Sequence, residues 1–595
     1  MRLPLQNSNW VAILTVALIM SASFNHEAAG QNSTRKIRVK PSATAARIGS
    51  GVNWAKDLKT AFEKSAETGK PIFWYVPTLR NSFMDRKPVV DRYMMAGPFS
   101  WESTRKMIND NFIAVRAIPG KDEQKKYALE PYKFVEPGFL ILDSSGNEKL
   151  KVDKITTLHE GWFNHLVSSS VKTGSKLELR LDDQTQSVIE SMRKAEALFH
   201  AGSHQAATKA WQEIATAHSE HPLGWKAAAE AEGFGPIVRG FEVNSNIPTE
   251  AMNAGIKSEG SASPPGVYSE NDLVTRSVNF LLSMQREDGG FVDSDYDFGG
   301  TDSLPNVHVA VTSLAGMALL SRRLELDEND QAMIQKLDRA ISLAAKYVSN
   351  PENINTMDRD EILWAYAYRL RFLSRLVALD AKWKDTLQSC TATLEEIKTQ
   401  RGGWYHEYNN PFVTATALSA LSEAKKSGAK VNQSKITEGV ASLAKDRYGN
   451  GAFPYGSSRP GAVSKKGSPR NVAASAGRMP LCELGLWHWG ESDDETLASA
   501  IKVSFDMHEH LLSAVKYDDH TSNMGYGGFF FWYDMRGRSE AISHVKDEPL
   551  RKELAARQRE IILAMPELDG CFVDSHELGR CYGTSMALLS LQLLK

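Results

Sequence analysis

Cysteine is scarce in this chain: there are four in 595 residues, at positions 390, 482, 571 and 581. A disulfide-rich scaffold is therefore excluded, and nothing before Cys390 can carry thiol chemistry. An excess of one charge is missing too. With 70 basic and 72 acidic side chains the formal net charge is −2, which offers no field to a phosphate backbone or an anionic bilayer, so nucleic acid is not an expected partner. Beyond the N-terminal segment no apolar run reads as long enough to cross a bilayer, and no membrane span is expected in the mature chain. What is present is an ordinary globular composition, 42% hydrophobic and 24% charged, on a chain long enough for several domains.

The N-terminus has the outline of an export signal over residues 1–30. Arg2 supplies a positive start, Val11 to Ala22 an apolar run, and Ala28 and Gly30 small residues before Gln31. The expected location is outside the cytoplasm, periplasmic or extracellular, with a retained N-terminal anchor as the alternative.

Residues 50–172 alternate helix and strand patterns: a helix over Trp54 to Glu67, a strand over Ile72 to Val76, a helix over Trp101 to Asn111, a strand over Phe112 to Ala117, and a strand from Phe139 into the turn Asp143 to Asn147. With the "GKPI" punctuation, the "IFWYVP" strand, and Glu136-Pro137 ahead of "FLILDSSG", this segment resembles a thioredoxin-like domain. The resemblance implies a redox dithiol after the first of these strands. Here that place reads Thr78-Leu79-Arg80-Asn81-Ser82-Phe83 without a cysteine, so a non-redox packing or binding module is expected. The loop Arg80 to Pro98, with Arg86, Lys87, Met94, Met95 and Phe99 near it, is either a recognition loop or ordinary decoration.

Apolar positions at helical spacing over residues 184–232, Ala195, Leu198, Gly202, Ala207, Trp211 and Ile214 among them, resemble a tetratricopeptide (TPR)-like hairpin. A single copy packs between its neighbours rather than forming a groove. Residues 242–270, with "SEGSASPPG", read as a linker.

From residue 271 to 595, glycine-aromatic clusters recur around Phe291, Trp404, Phe453, Phe529 and Phe572. Three of them precede helices of one pattern, beginning at Thr312, Thr414 and Thr584. Arg276 to Phe291, with Gln285, Gly289 and Phe291, resembles the glutamine-aromatic repeat of the prenyltransferase and squalene-cyclase family. That resemblance implies an all-α toroid of inner and outer helices, so the expected class is multidomain: α/β, short helical connector, α/α toroid.

Each chemistry the family supports has its own requirement. Cyclases need Asp-x-Asp-Asp, and Lys516-Tyr517-Asp518-Asp519 puts a cation first, which holds its neighbours ionised. Prenyltransferases hold zinc with aspartate, cysteine and histidine. Asp569-Gly570-Cys571 resembles part of that set, but in an oxidising compartment a Cys571–Cys581 disulfide is the preferred reading. Thioester toroids need Cys-Gly-Glu-Gln, which Cys482-Glu483-Leu484 lacks. Asp293-Ser294-Asp295 departs from a calcium loop at Phe298 and Leu304, and His508-Glu509-His510 has the wrong spacing for a zincin.

The expectation is thus an exported binding or scaffold protein, non-catalytic and without cofactor or metal, whose partner is a protein or small molecule. Candidate cavity residues are Tyr405, His406, Asp518, Asp519, His520 and Tyr526, with His308 and Asp569 at other inner-helix starts. The alternatives are a toroid enzyme acting on a terpenoid or polysaccharide, with Arg401, Tyr405, His406, Arg478, His520 and Tyr526 as acid–base or carboxylate-neutralising groups, and a zinc-dependent transferase around Asp569 and Cys571.

Overall fold

Strand Ile72–Val76 (β2) is apolar and buried at every position, as a central strand must be when both faces are covered. The computed structural model describes residues 40–79, 91, 94–130, 138–152, 160–170, 182–233, 246–251, 266–294, 296, 302–406, 408–456, 466–512, 531–574 and 578–595. Around β2 lie Trp54–Ala55 (β1), Ile113–Arg116 (β3), Gly138–Leu142 (β4) and Glu148–Val152 (β5) in the order β1-β3-β2-β4-β5. The first three strands are parallel, β4 runs antiparallel to β2, and β5 runs antiparallel to β4. Helices Leu58–Thr68 (α1), Glu102–Asn111 (α2), Lys121–Lys126 (α3) and Glu160–Ser169 (α4) complete this α/β part. Trp54, expected at the start of a helix, lies in β1. Helix α1 starts later because Asp57 caps it, accepting from the Thr60 N–H at 2.7 Å. Met94 and Phe99, read as loop residues, are core; Arg86, Lys87 and Glu136-Pro137 lie outside the described residues.

Three helices follow, Asp183–His200 (α5), His204–Ala217 (α6) and Pro222–Ala231 (α7). Val188, Phe199 and Trp211 belong to the same apolar core as the C-terminal helices, so this connector buries its face on its neighbours. On the other side, the buried Lys226 ammonium pairs with Glu230 at 3.0 Å and donates to Ala96 O at 3.1 Å.

The remaining helices are Glu270–Met284 (α8), Leu304–Glu325 (α9), Gln331–Ser349 (α10), Ile362–Val377 (α11), Lys384–Glu396 (α12), Pro411–Lys426 (α13), Gln433–Asp446 (α14), Pro469–Ser475 (α15), Met479–Trp487 (α16), Asp494–Asp506 (α17), His508–Leu512 (α18), Phe531–Ser543 (α19), Glu548–Leu563 (α20) and Gly579–Leu593 (α21). Six of them, α9, α11, α13, α16, α19 and α21, each pack on the next, and α21 packs back on α9. These six close a ring. Outside it, α8, α10, α12, α14, α17 and α20 each lie against two adjacent inner helices. Inner helices are buried almost all round, whereas outer ones bury one stripe. Helix α9 is long and apolar enough to cross a membrane, contrary to the sequence reading, but 83% of its most apolar window is buried in the ring. Among the described residues it is the one such helix, and it is a core element.

The repeated glycine-aromatic clusters have one hydrogen-bonding pattern. The backbone N–H groups of Phe291, Trp404 and Phe572 donate to the hydroxyls of Thr312, Thr414 and Thr584 at 2.9, 3.0 and 3.2 Å, and Phe453 uses Ser475 at 3.2 Å. Just before each aromatic residue the chain turns through a glycine at positive φ: Gly289, Gly402, Gly451 or Gly570. An added Cβ at Gly289 would meet Leu343 O at 2.2 Å, so both conformation and close approach demand glycine there.

Candidate functional site

Because inner and outer helices alternate around the ring, the inner helices run in one direction and gather their N-termini at one end. Unpaired N–H groups there favour anionic oxygen, and acids from the repeat loops supply it. Asp358 accepts from Asp360 N and Glu361 N at 3.0 and 3.3 Å at the start of α11. Asp293 Oδ2 accepts from Arg580 N and Cys581 N at 2.8 and 2.9 Å at the start of α21. Asp574 Oδ2 accepts from Trp532 N at 3.0 Å in α19.

Asp293 and Asp574 each stand two residues after the repeat aromatic, in the duplicated tetrapeptide Phe-Val-Asp-Ser at 291–294 and 572–575. His406 holds that position after Trp404 and reaches the preceding inner helix in the same way: its Nδ1 lies 2.5 Å from Asp360 O and 3.7 Å from Glu361 Oε2. The duplication was the available signal for these caps. Asp293, considered as a calcium ligand, is a helix cap, and burial pushes its carboxyl pKa up.

Between these caps lies a narrow cavity. Its walls are Val307, Ala310, Val311 and Leu314 of α9, with Trp364 and Tyr368 of α11, Tyr533 of α19, Tyr582 of α21, and Tyr296 and Leu578 from loops. Glu361 is the carboxylate in the lining. The rings support one another: Trp364 meets Tyr533 edge-on at 5.6 Å and stacks on Tyr368 at 6.2 Å. Tyr533 Oη lies 2.6 Å from Thr416 Oγ1 and donates to Phe412 O at 3.1 Å. Burial drives the Tyr533 and Tyr582 phenols well above their ordinary range, so both are neutral hydroxyls at physiological pH.

Asp534 sits beside Tyr533 on α19, 4% exposed, and its Oδ1 has no hydrogen-bond partner. Burial raises its pKa to about 7, against the opposing pull of Arg478 and Arg538. A Cβ on Gly477 would lie 2.3 Å from its Oδ2, so glycine is what lets the α15–α16 connection pass over this carboxyl. No sequence pattern singled Asp534 out; within "FFFWYD" it reads as one polar residue in an aromatic run.

Of the sequence candidates, His406 is buried against Glu361 at the cavity edge, and Tyr405 is half-buried beside it, outside the lining. Asp518, Asp519, His520 and Tyr526 lie outside the described residues. His308 faces a different cleft, with Nε2 3.0 Å from Ser294 O. Arg478 lies over the rings of Phe412 and Tyr455, 5.5 and 5.4 Å from their centroids, and Arg401 is exposed. Cys571 and Cys581 are not joined to each other: both are buried thiols. The Cys581 N–H is committed to Asp293, and burial beside that carboxylate raises its thiol pKa far above the usual range. Asp569, the supposed zinc ligand, forms a fully buried ion pair with Arg580 instead. No group of three or more metal-ligating side chains occurs among the described residues.

No protein-family model matches the chain, and no curated protein matches it.

Proposed function

We propose that this protein is an exported binding protein whose helical ring is of the prenyltransferase and squalene-cyclase type, and that the ring cavity takes a small organic cation. The observation that carries the reading is the lining: five aromatic rings, Tyr296, Trp364, Tyr368, Tyr533 and Tyr582, with one carboxylate, Glu361. Aromatic faces attract a desolvated cation by about 2 kcal/mol, and the carboxylate supplies the opposite charge. Ring closure by six inner and six outer helices supports the toroid reading. The strand order β1-β3-β2-β4-β5 supports a thioredoxin-like module, in which the absence of cysteine before position 390 leaves partner binding rather than thiol exchange. Arg2 and the apolar run at 11–22 support export; both lie outside the described residues.

Calorimetric titration with benzyltrimethylammonium and with its neutral tert-butyl isostere tests the reading. The cation should bind at least tenfold more tightly, and Tyr533→Leu should abolish the preference. Equal affinity for the two would refute it.

A second reading, an enzyme acting on a terpenoid or polysaccharide, is favoured by one observation. Asp534 is a buried carboxyl with a free oxygen and a pKa near 7, the condition of a group that can give up a proton at neutral pH. In that case Asp534→Asn would remove turnover of prenyl or uronate substrates while leaving ligand binding intact.

A further inference from the structure

At the other end of the ring, where the inner helices finish, the side chains are cationic. Arg371 of α11, 1% exposed, pairs with Glu423 of α13 and Glu540 of α19. Arg536 of α19, 3% exposed, pairs with Glu540 at 3.1 Å. Arg375, one helical turn beyond Arg371, lies in the field of all four groups, yet no described residue pairs with it. Three guanidinium groups therefore face two carboxylates, leaving one positive charge uncompensated.

The hydrogen-bond inventory agrees with the charge count. Arg371 Nε, Arg536 Nε and Arg536 Nη2 are buried and have no acceptor, three donors against one unpaired acceptor of the cluster, Glu423 Oε2. His488, just past α16, packs near the same charges with both ring nitrogens unpartnered, 5.0 Å from the His544 ring, and burial lowers its pKa to about 4. It is thus neutral and can itself donate one N–H. His544 is turned to the Glu540 carbonyl, 2.9 Å from Nδ1. The carbonyl ends of the inner helices favour arginine here, but none lies within hydrogen-bond distance of the three orphan N–H groups. Buried donors in such number require an acceptor.

We propose that the ring holds a small monovalent anion, of the size and charge of chloride, among Arg371, Arg375 and Arg536, with His488 at its edge. One negative charge neutralises the excess and accepts from the orphan donors. The partly exposed Glu423 and Arg375 leave this end reachable from solvent. The site shares no lining residue with the aromatic cavity, although Arg371 and Arg536 lie close enough to Tyr368 in that lining to act on its phenol.

The probe is chloride. Thermal unfolding of the full chain should be followed in sodium chloride and in sodium gluconate, whose anion is too large to enter, at one ionic strength. Chloride should raise Tm saturably, by about 1–2 °C at ten times its Kd, and Arg375→Gln should lose the rise. Since that variant could fail to fold, crystals of the unaltered protein grown in bromide provide a second measurement. An anomalous peak within hydrogen-bond distance of Arg536 Nε and Nη2 is expected. Identical unfolding in the two salts, or ordered water without an anomalous peak at that position, overturns the proposal.

Discussion

The backbone N–H of Trp404 donates to the hydroxyl of Thr414, 3.0 Å away and ten residues on. Both residues are at most 1% exposed, so no water can replace that oxygen. Thr414→Val preserves shape and removes the acceptor, and should cost about 1–3 kcal/mol in denaturant unfolding. Thr414→Ser retains the hydroxyl and should recover most of it. Equal losses for the two would show that the methyl group, and not the hydrogen bond, holds the turn.

Gly289→Ala should be severely destabilising, because φ is +94° and the new methyl would press on Leu343 O. Gly202→Ala is the control. Its φ is +80° but nothing lies within 4 Å of the added Cβ, so only the left-handed backbone is penalised, at about 1 kcal/mol. The difference in unfolding midpoint between the two variants isolates the steric part.

Asp534 makes stability depend on pH. Its carboxyl pKa is about 7 in the folded chain and near 4 when unfolded, so the folded state keeps a proton that the unfolded state releases. Stability should therefore fall as pH rises from about 4 to 7 and level off above, by about 4 kcal/mol at most. Asp534→Asn stays neutral and should remove that slope, gaining on the unaltered protein at pH 8 and matching it at pH 4. Parallel stability curves would show that the carboxyl is hydrated in solution.

All four cysteines are buried thiols. Ellman's reagent should find none accessible in the native protein and four after denaturation without reductant. A count of two would restore the Cys571–Cys581 disulfide that the sequence suggests.

How far the sequence reveals this structure differs from element to element. Strand Ile72–Val76 reads directly because five consecutive apolar residues have no other place to go. Thr312, Thr414 and Thr584 stand out because each must answer the same N–H in a separate copy of one turn, and the duplicated Phe-Val-Asp-Ser marks two caps in the same way. Helices α11 and α19 escape the pattern, since their bulky aromatic and charged residues fill the bore rather than packing close to a neighbour. The sites are the least legible part. Asp534, Arg375 and Arg536 matter through charges that meet across the ring, such as Arg375 with Glu423 and with Glu540, 48 and 165 positions apart, and spacing along the chain carries no trace of those meetings.

Ring closure also changes how folding can proceed. Ser321 of α9 donates to Gln592 of α21 at 2.8 Å, across 271 residues, while every other inner interface joins near neighbours in sequence. A linear array of helical hairpins can grow from any point and needs polar repeats to finish its two ends. Here the seam between α9 and α21 does the finishing: it adds a sixth interface to six hairpins, makes each dependent on all the others, and requires one loop closure far longer than any of the other five.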